Sequence, residues 1–410
     1  MALDIAYLSY SDQSGVTDRL VAALSDRGHA VTHLRATGPL DHRHPSSRAL
    51  RMTPQVAWNL ALSAARYGRR ALHHAWNTCY AFDVHSRRAG ELLAAMEPAA
   101  QVVLQAGVLF SPGAPPRLPY VLLCDYTAAL ARATDAGAAH AVDLGAGWRA
   151  RERAVYLGAA AIAAFSERVK GSLVRDYGVD PGRVAVVGAG ANVVPRAPER
   201  RDDGRTVLFI GKEWERKGGP LLAEAFALLR RRVPGARLLV AGPHGPIDLP
   251  EGAASLGRVP VAELPALCAR ATAFAMPTLR EPYGLAFLDA MACGLPCVGP
   301  QAEAVPEIID DGRTGLLVPP ADAPALAAAL ERLLLDRALA ACLGAAGRAK
   351  VLGGLTWEHV AGRVESLLST AAVACPPALP APHRSPLRRA ARQPTLHGGS
   401  QREHPARHDG

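Results

Sequence analysis

Aromatic residues are scarce in this chain, at 5% of 410 residues, and charged residues make up only 20%. So low a charge content beside a 49% apolar share excludes an intrinsically disordered protein. Long apolar runs are missing too. No run of about 18 consecutive apolar residues is free of charge, so a transmembrane helix is not expected. Met1 leads straight into a strand-like run, so no signal peptide is expected either. Cysteine spacing is uninformative in a useful way. Cys79, Cys124, Cys268, Cys293, Cys297, Cys342 and Cys375 are odd in number, neither paired nor spaced like metal ligands. Most lie in apolar runs, where a free cysteine acts as a small hydrophobe. That excludes a disulfide scaffold and suits a reducing cytoplasm.

What is present is basic and mostly foldable. The formal net charge is +9, with a pI near 9.4. Arginines cluster between Arg43 and Arg88 and again in the last thirty residues. Such a surface suits a phosphate-bearing ligand, an anionic membrane, nucleic acid or plain solvation, and charge alone does not choose. The length suits two domains of roughly 150–200 residues.

Apolar runs alternate with helical patterns along the chain. Strands are predicted over 4–10, 30–31, 101–105, 120–124, 160–165 and 184–187. Helices are predicted over 16–27, 57–75, 149–157 and from 169 onward, with Ser166 as an N-cap. Two prolines and a charge run over 194–205 mark a linker. A second series follows, with strands at 207–210, 237–241, 273–276, 297–298 and 315–318. Its helices are predicted over 220–231, 261–270, 285–293, 305–309, 323–335 and 357–368, with Asp322 as an N-cap. Beyond about residue 374 the chain is too poor in apolar residues for a core and reads as a disordered basic tail. Two parallel α/β domains imply a cleft, with ligands beyond the carboxyl ends of the strands.

Two segments follow strands and carry chemistry. In Pro277–Pro296, PTLREPYGLAFLDAMACGLP, Glu281 follows a strand and Asp289 lies eight positions on, which at helical spacing returns to within about 80° of the same face. Gly284, Leu285 and Ala286 open a helix whose free N–H groups suit a diphosphate. Two acids accept well from sugar hydroxyls; a helix start decorated with acids for its dipole is the plainer reading. In Phe209–Pro220, FIGKEWERKGGP, Lys212 and Lys217 follow a strand among glycines. Two cations there can neutralise a diphosphate leaving group; alone, the segment reads better as a solvated turn before a helix, and the Glu281 segment beside it reverses that.

REPYGLAFLDAMACGLP, followed by PEIIDDGRTGLLVPP, resembles the donor-site signature of the retaining glycosyltransferases of family 4. GKEWERKGG resembles that family's phosphate-binding loop. The resemblance runs from about Val207 to Trp357, weakens over RERAVYLGAAAIAAFSERVKGSLVRDYGVDPGRVAVVGAGAN, and is faint in the first hundred residues. It implies a GT-B fold, two Rossmann-like parallel-sheet domains facing across a cleft. Residues 1–193 would then form the acceptor domain, 194–205 the linker, 206–356 the donor domain, 357–372 a helix crossing back, and 373–410 the tail. It further implies a retaining transfer from a nucleotide-diphosphate sugar to a hydroxyl acceptor that the sequence does not identify.

By the same resemblance, Glu281 would sit at the donor sugar and Asp289 at the ribose, where the family usually has Glu. Lys212 stands where the family usually has Arg, keeping the charge and losing the fork; Lys217 matches. Gly284, Leu285 and Ala286 would meet the phosphates, Arg258 and Val259 would pass the base, and the loop at Gly15 would approach the phosphates. The family often has a His after the strand at Val121–Cys124. Here Asp125 follows, which either polarises the acceptor hydroxyl, stabilises the cationic sugar, or caps a turn. His73, His74 and His85 read as surface or packing residues. No cofactor is expected and no metal: Asp202-Asp203 and Asp310-Asp311 are adjacent pairs in linker or turn contexts, not DxD pairs. Nucleic acid is not an expected partner. Peripheral contact of the 43–88 region with an anionic membrane face stays open.

Rival readings are weaker on the residues. Gly188-Ala189-Gly190-Ala191-Asn192 follows a strand, but it lacks a third glycine and opens no helix, against a dinucleotide site. A nucleotide-sugar epimerase-like protein, a phosphorylase, or a non-catalytic sugar-nucleotide-binding protein of the same fold remain as alternatives. Loss of Glu281 or Lys217 would have favoured the non-catalytic one.

Overall fold

Compact apolar runs bounded by loops fold here as central parallel strands, buried on both faces. The computed structural model describes residues 2–10, 15–37, 40, 52–113, 118–134, 144–196, 201–243 and 245–373. The tail over 374–410, positions 197–200 of the linker and residues 41–51, where the arginine-rich stretch begins, lie outside the described residues.

The first sheet contains β1 (Asp4–Ser9), β2 (Ala30–Arg35), β3 (Val102–Ala106), β4 (Tyr120–Cys124), β5 (Ala161–Ala164) and β6 (Val184–Val186), in the order β2-β1-β3-β4-β5-β6. The second contains β7 (Thr206–Ile210), β8 (Arg237–Ala241), β9 (Ala253–Gly257), β10 (Ala273–Ala275), β11 (Cys297–Pro300) and β12 (Gly315–Val318), in the order β12-β11-β10-β7-β8-β9. Every pairing within both sheets is parallel. In the second sheet the order reverses between β7 and β10, which pair through Ala273↔Val207 and Phe274↔Leu208. Helices leave those neighbouring strands towards opposite faces, so a crevice opens at their carboxyl ends.

Both expected caps form. The Ser166 hydroxyl accepts from Val169 N at 3.2 Å, and Asp322 Oδ1 accepts from Ala325 N at 2.8 Å. The last helix, Trp357–Val373, packs on β3, β4, β5 and the Val16–Asp26 helix, so it crosses back to the first sheet. It buries Val360, Val364 and Leu368 completely, each worth roughly 1.5–3 kcal/mol against exposure. The chain crosses between sheets twice, side by side. Ala191 N donates to Leu355 O at 3.0 Å, and the Trp357 indole N–H donates to Asn192 Oδ1 at 3.1 Å. Gly188–Asn192 therefore belongs to this crossing. A side chain at Gly190 would collide with the Trp357 backbone.

Two expectations need correction. The helix predicted over 57–75 runs instead from Pro54 to Tyr67 and breaks at Gly68, which turns left-handed (φ 55°) into a short 3-10 segment. Glu281 also lies in the loop before the Leu285–Ala292 helix, not on it. Helical spacing from Glu281 to Asp289 therefore does not apply. Among the described residues no helix is long and apolar enough to cross a membrane.

Candidate functional site

The two lysine-bearing and acid-bearing loops leave the adjacent strands β7 and β10, so the sheet itself brings them together. Leu279 N donates to Arg216 O at 3.0 Å, and Thr278 Oγ1 donates to the same carbonyl at 3.2 Å. Lys217 Nζ then forms an ion pair with Glu281 Oε2. Both side chains are largely buried, at 14% and 6% exposure. Burial pushes the Lys217 ammonium below its usual range, and the Glu281 carboxylate opposes that. Lys212 directly follows Gly211 and is exposed at the loop's start.

Gly284 (φ 125°) turns the chain into the Leu285–Ala292 helix, with Leu285 and Ala286 half-buried at its first turn. Glu281 therefore stands beside a helix N-terminus that carries free N–H groups. Asp289, one face of the helix further on, is buried, and its Oδ1 accepts from Asn192 N at 2.6 Å and Val193 N at 3.0 Å. It ties the Leu285–Ala292 helix to the crossing between sheets. Gly15 caps the Val16–Asp26 helix in a left-handed conformation and approaches the same place: a Cβ on it would lie 3.2 Å from Asn192 Oδ1. Arg258 and Val259 follow β9, two strands from β7. Arg258 is exposed, and Val259 packs on the apolar core.

Asp125 follows β4 in the first sheet and is half-buried. Burial raises its pKa first of all, and the charge of Glu281, reaching it from the second sheet, raises it further. Asp125 thus feels the charge of Glu281 across the two sheets, as a smaller effect than its own burial. Its loop is held from behind by a buried polar network. Glu152, fully buried, accepts from Ala128 N at 3.0 Å, Tyr156 Oη at 3.0 Å and Tyr177 Oη at 2.8 Å. Sequence reasoning missed Glu152, whose only signal is an acid spaced among the apolar positions of a helix.

Between the sheets lies a cleft of about 1450 Å³. Its first-sheet wall includes Arg69, Arg70, Trp76 and Arg132, and its second-sheet wall includes Lys212, Arg216 and Arg280. The walls thus reach the sequence neighbours of Lys217 and Glu281. His74 also lines the cleft, whereas His85 is buried, and its imidazole is pushed down to about 4 by burial. His85 is a packing residue, stacked edge-on against Tyr10 at 5.1 Å. Among the described residues no group of three or more His, Cys, Asp or Glu side chains gathers as a metal site.

Asp289 makes a pH prediction. Burial raises its pKa from 3.8 to about 7 against the opposing backbone donors. The folded state therefore holds this proton where the unfolded chain has released it, and stability falls as pH rises from about 4 to about 7. Asp289→Asn keeps an acceptor for Asn192 and Val193 and removes the titration. Denaturant unfolding should show the variant gaining on the wild type across that window, by at most about 4 kcal/mol. Parallel pH profiles for the two proteins would refute the assignment.

Two six-stranded parallel sheets with a returning C-terminal helix define a GT-B fold, and solved structures agree. Sucrose-phosphate synthase from Thermosynechococcus elongatus superposes with a TM-score of 0.67 at 20% identity, covering 90% of this chain and 98% of that one. The Anabaena Alr3699/HepE protein, solved with UDP-glucose, does so with a TM-score of 0.64 at 13% identity, covering 90% and 100%. Residues 204–336 match the sequence model of the family described as Glycosyl transferases group 1. Among curated relatives, the GDP-mannose-dependent alpha-(1-6)-phosphatidylinositol monomannoside mannosyltransferase of Mycolicibacterium smegmatis is 36% identical over 185 residues, 41% of this chain and 48% of the relative. The D-inositol 3-phosphate glycosyltransferase of Frankia alni is 34% identical over 260 residues, 54% and 63%. The chain spans about half the length of the first curated relatives it matches.

Proposed function

We propose that this chain transfers a sugar, with retention of anomeric configuration, from a nucleoside-diphosphate sugar to a hydroxyl of a phosphate-bearing acceptor. The observation that carries the reading is the buried Lys217–Glu281 pair beside the start of the Leu285–Ala292 helix. Breaking the bond to the donor diphosphate builds charge on the leaving oxygen. Lys217, Lys212 and the free N–H groups at Gly284, Leu285 and Ala286 would stabilise it without a divalent cation. Glu281 would accept from the sugar hydroxyls. Asp289 would offer the ribose Oδ2, since both backbone bonds fall on Oδ1. Asp125 would polarise the acceptor hydroxyl or stabilise the cationic sugar.

The acceptor class is supported by the basic cleft and by relatives whose names specify phosphatidylinositol mannoside and inositol 3-phosphate. Incubation with GDP- and UDP-sugars plus inositol phosphate or phosphatidylinositol vesicles tests the proposal. Release of nucleoside diphosphate that requires acceptor and survives EDTA is expected, with NMR showing retained configuration in the product. Acceptor-independent silence with every donor would remove the reading.

A lipid-held acceptor is favoured by one specific observation. Trp58, Leu62 and Arg66 recur every fourth residue on the Pro54–Tyr67 helix and are all exposed, Trp58 at 57%. Such a face suits a peripheral contact with an anionic membrane from the cytoplasmic side. Co-sedimentation with anionic liposomes, lost in high salt and in Trp58→Ala, is the expected result; binding to neither neutral nor anionic vesicles would favour a soluble acceptor.

A further inference from the structure

Glu303 stands in the turn after β11 and is one of two non-glycine residues with positive φ among those described, at 57°. Residues with a side chain rarely hold that conformation unless their surroundings over-determine it. Here the surroundings come from the other sheet. Tyr126 Oη donates to Glu303 Oε2 at 2.7 Å, and Thr134 Oγ1 and Arg168 Nη2 donate to Oε1 at 3.0 and 3.1 Å. Tyr126 Oη and Thr134 Oγ1 also lie 2.9 Å apart. The Glu303 side chain is 6% exposed. One turn later, the Glu307 carboxylate accepts from Glu167 N at 2.7 Å and Arg168 N at 3.1 Å, at the start of the Glu167–Tyr177 helix. Two carboxylates of the second domain thus engage the first.

The contact is placed where it matters. Tyr126 adjoins Asp125, and the loop between β4 and the Ala128–Thr134 helix is held from behind as well, by Glu152 and Tyr177 at the helix start and by Ser172, whose hydroxyl lies 2.7 Å from Thr127 Oγ1. Burial and the Glu303 carboxylate push the Tyr126 phenol up to about 12, so it remains a donor at neutral pH.

We infer that Glu303 is a positioning residue: by holding Tyr126 it fixes the adjacent Asp125 opposite Glu281, so both halves of the site are set only when this latch is closed. The inference rests on the proposed transfer for its kinetic consequence. Its geometry stands without it. An ordinary inter-domain ion pair would stabilise the fold and leave the chemical step alone.

The test uses the full chain with Glu303→Gly, which relaxes the backbone and removes the carboxylate, Glu303→Gln, which keeps an acceptor for Tyr126, and Tyr126→Phe. In Glu303→Gly, kcat for transfer should fall about tenfold to a hundredfold, the cost of an ångström-scale misplacement, while the donor KM stays within about twofold. Glu303→Gln should recover most of kcat. Glu303→Gly and Tyr126→Phe combined should lose no more than the worse single variant. Hydrogen exchange over 125–134 should quicken in Glu303→Gly. Unchanged exchange there would overturn the latch whatever the activity, and unchanged or additive kcat losses would overturn its positioning role. Wild-type protein that releases no nucleoside diphosphate would instead remove the functional reading, with the exchange result still deciding the latch.

Discussion

Lys217→Ala should lower the rate of nucleoside diphosphate release by about a hundredfold to a thousandfold, the usual cost of removing one preorganised group from a developing oxyanion. It should also destabilise the protein, and the reason is specific. The Glu281 side chain is 6% exposed, and its ionic partner is Lys217. Without the ammonium a carboxylate is left buried and unpaired, which costs about 3–5 kcal/mol unless it takes up a proton. Two effects are thus superimposed, and a second variant separates them. Lys217→Ala with Glu281→Gln removes the orphaned charge, so unfolding experiments should recover most of the stability. Activity should not return, because both the diphosphate contact and the sugar contact are gone. A Lys217→Ala enzyme with wild-type turnover would show that the lysine is structural. A double variant no more stable than the single one would show that the pair is not what Lys217 contributes to the fold.

The reach of the sequence can be judged residue by residue. Lys217 and Glu281 were legible because each follows a short, fully apolar strand, and parallel sheets place ligands beyond such strand ends. That β7 and β10 are neighbours was not legible, since strand order is a tertiary property. β9 is not legible because Ala253–Gly257 is an edge strand without alternating burial, its middle three residues exposed, paired among the described residues only with β8. The Arg337–Gly354 helix escaped for a different reason. Glycine lowers helix propensity by about 1 kcal/mol, and this helix contains several. They serve packing: a Cβ at Gly344 would lie 3.0 Å from the Gly294 carbonyl carbon, and one at Gly347 would lie 3.0 Å from Thr314 O. The local signal was sacrificed to close approach. Glu303 was illegible for a related reason. In QAEAVPE it reads as a turn acid, and its partners Tyr126, Thr134 and Arg168 lie more than a hundred positions away.

Gly218→Ala should be among the most damaging single-methyl additions in the chain. Gly218 precedes the Gly219–Arg232 helix at φ 75°, where a side chain is already strained by roughly 1–2 kcal/mol. Space makes it worse. A Cβ there would lie 2.6 Å from the Pro277 carbonyl carbon and closer still to its oxygen. The obstacle is backbone, so no rotamer change relieves it. The Pro277 loop must retreat, and it carries Thr278 and Leu279, whose bonds to Arg216 O staple the two site loops together. Moving it draws Glu281 away from Lys217. The expected result is a loss of about 3 kcal/mol or more in denaturant unfolding, within the range of strained-backbone and overpacking defects. Donor affinity by thermal shift should fall with it. Gly353→Ala is the control: it lies in the Arg337–Gly354 helix, and a Cβ there meets nothing within 4 Å. It should be neutral or stabilise by up to about 1 kcal/mol. If both glycines tolerated alanine equally, the close contact between the lysine loop and the acid loop would not be what sets this site.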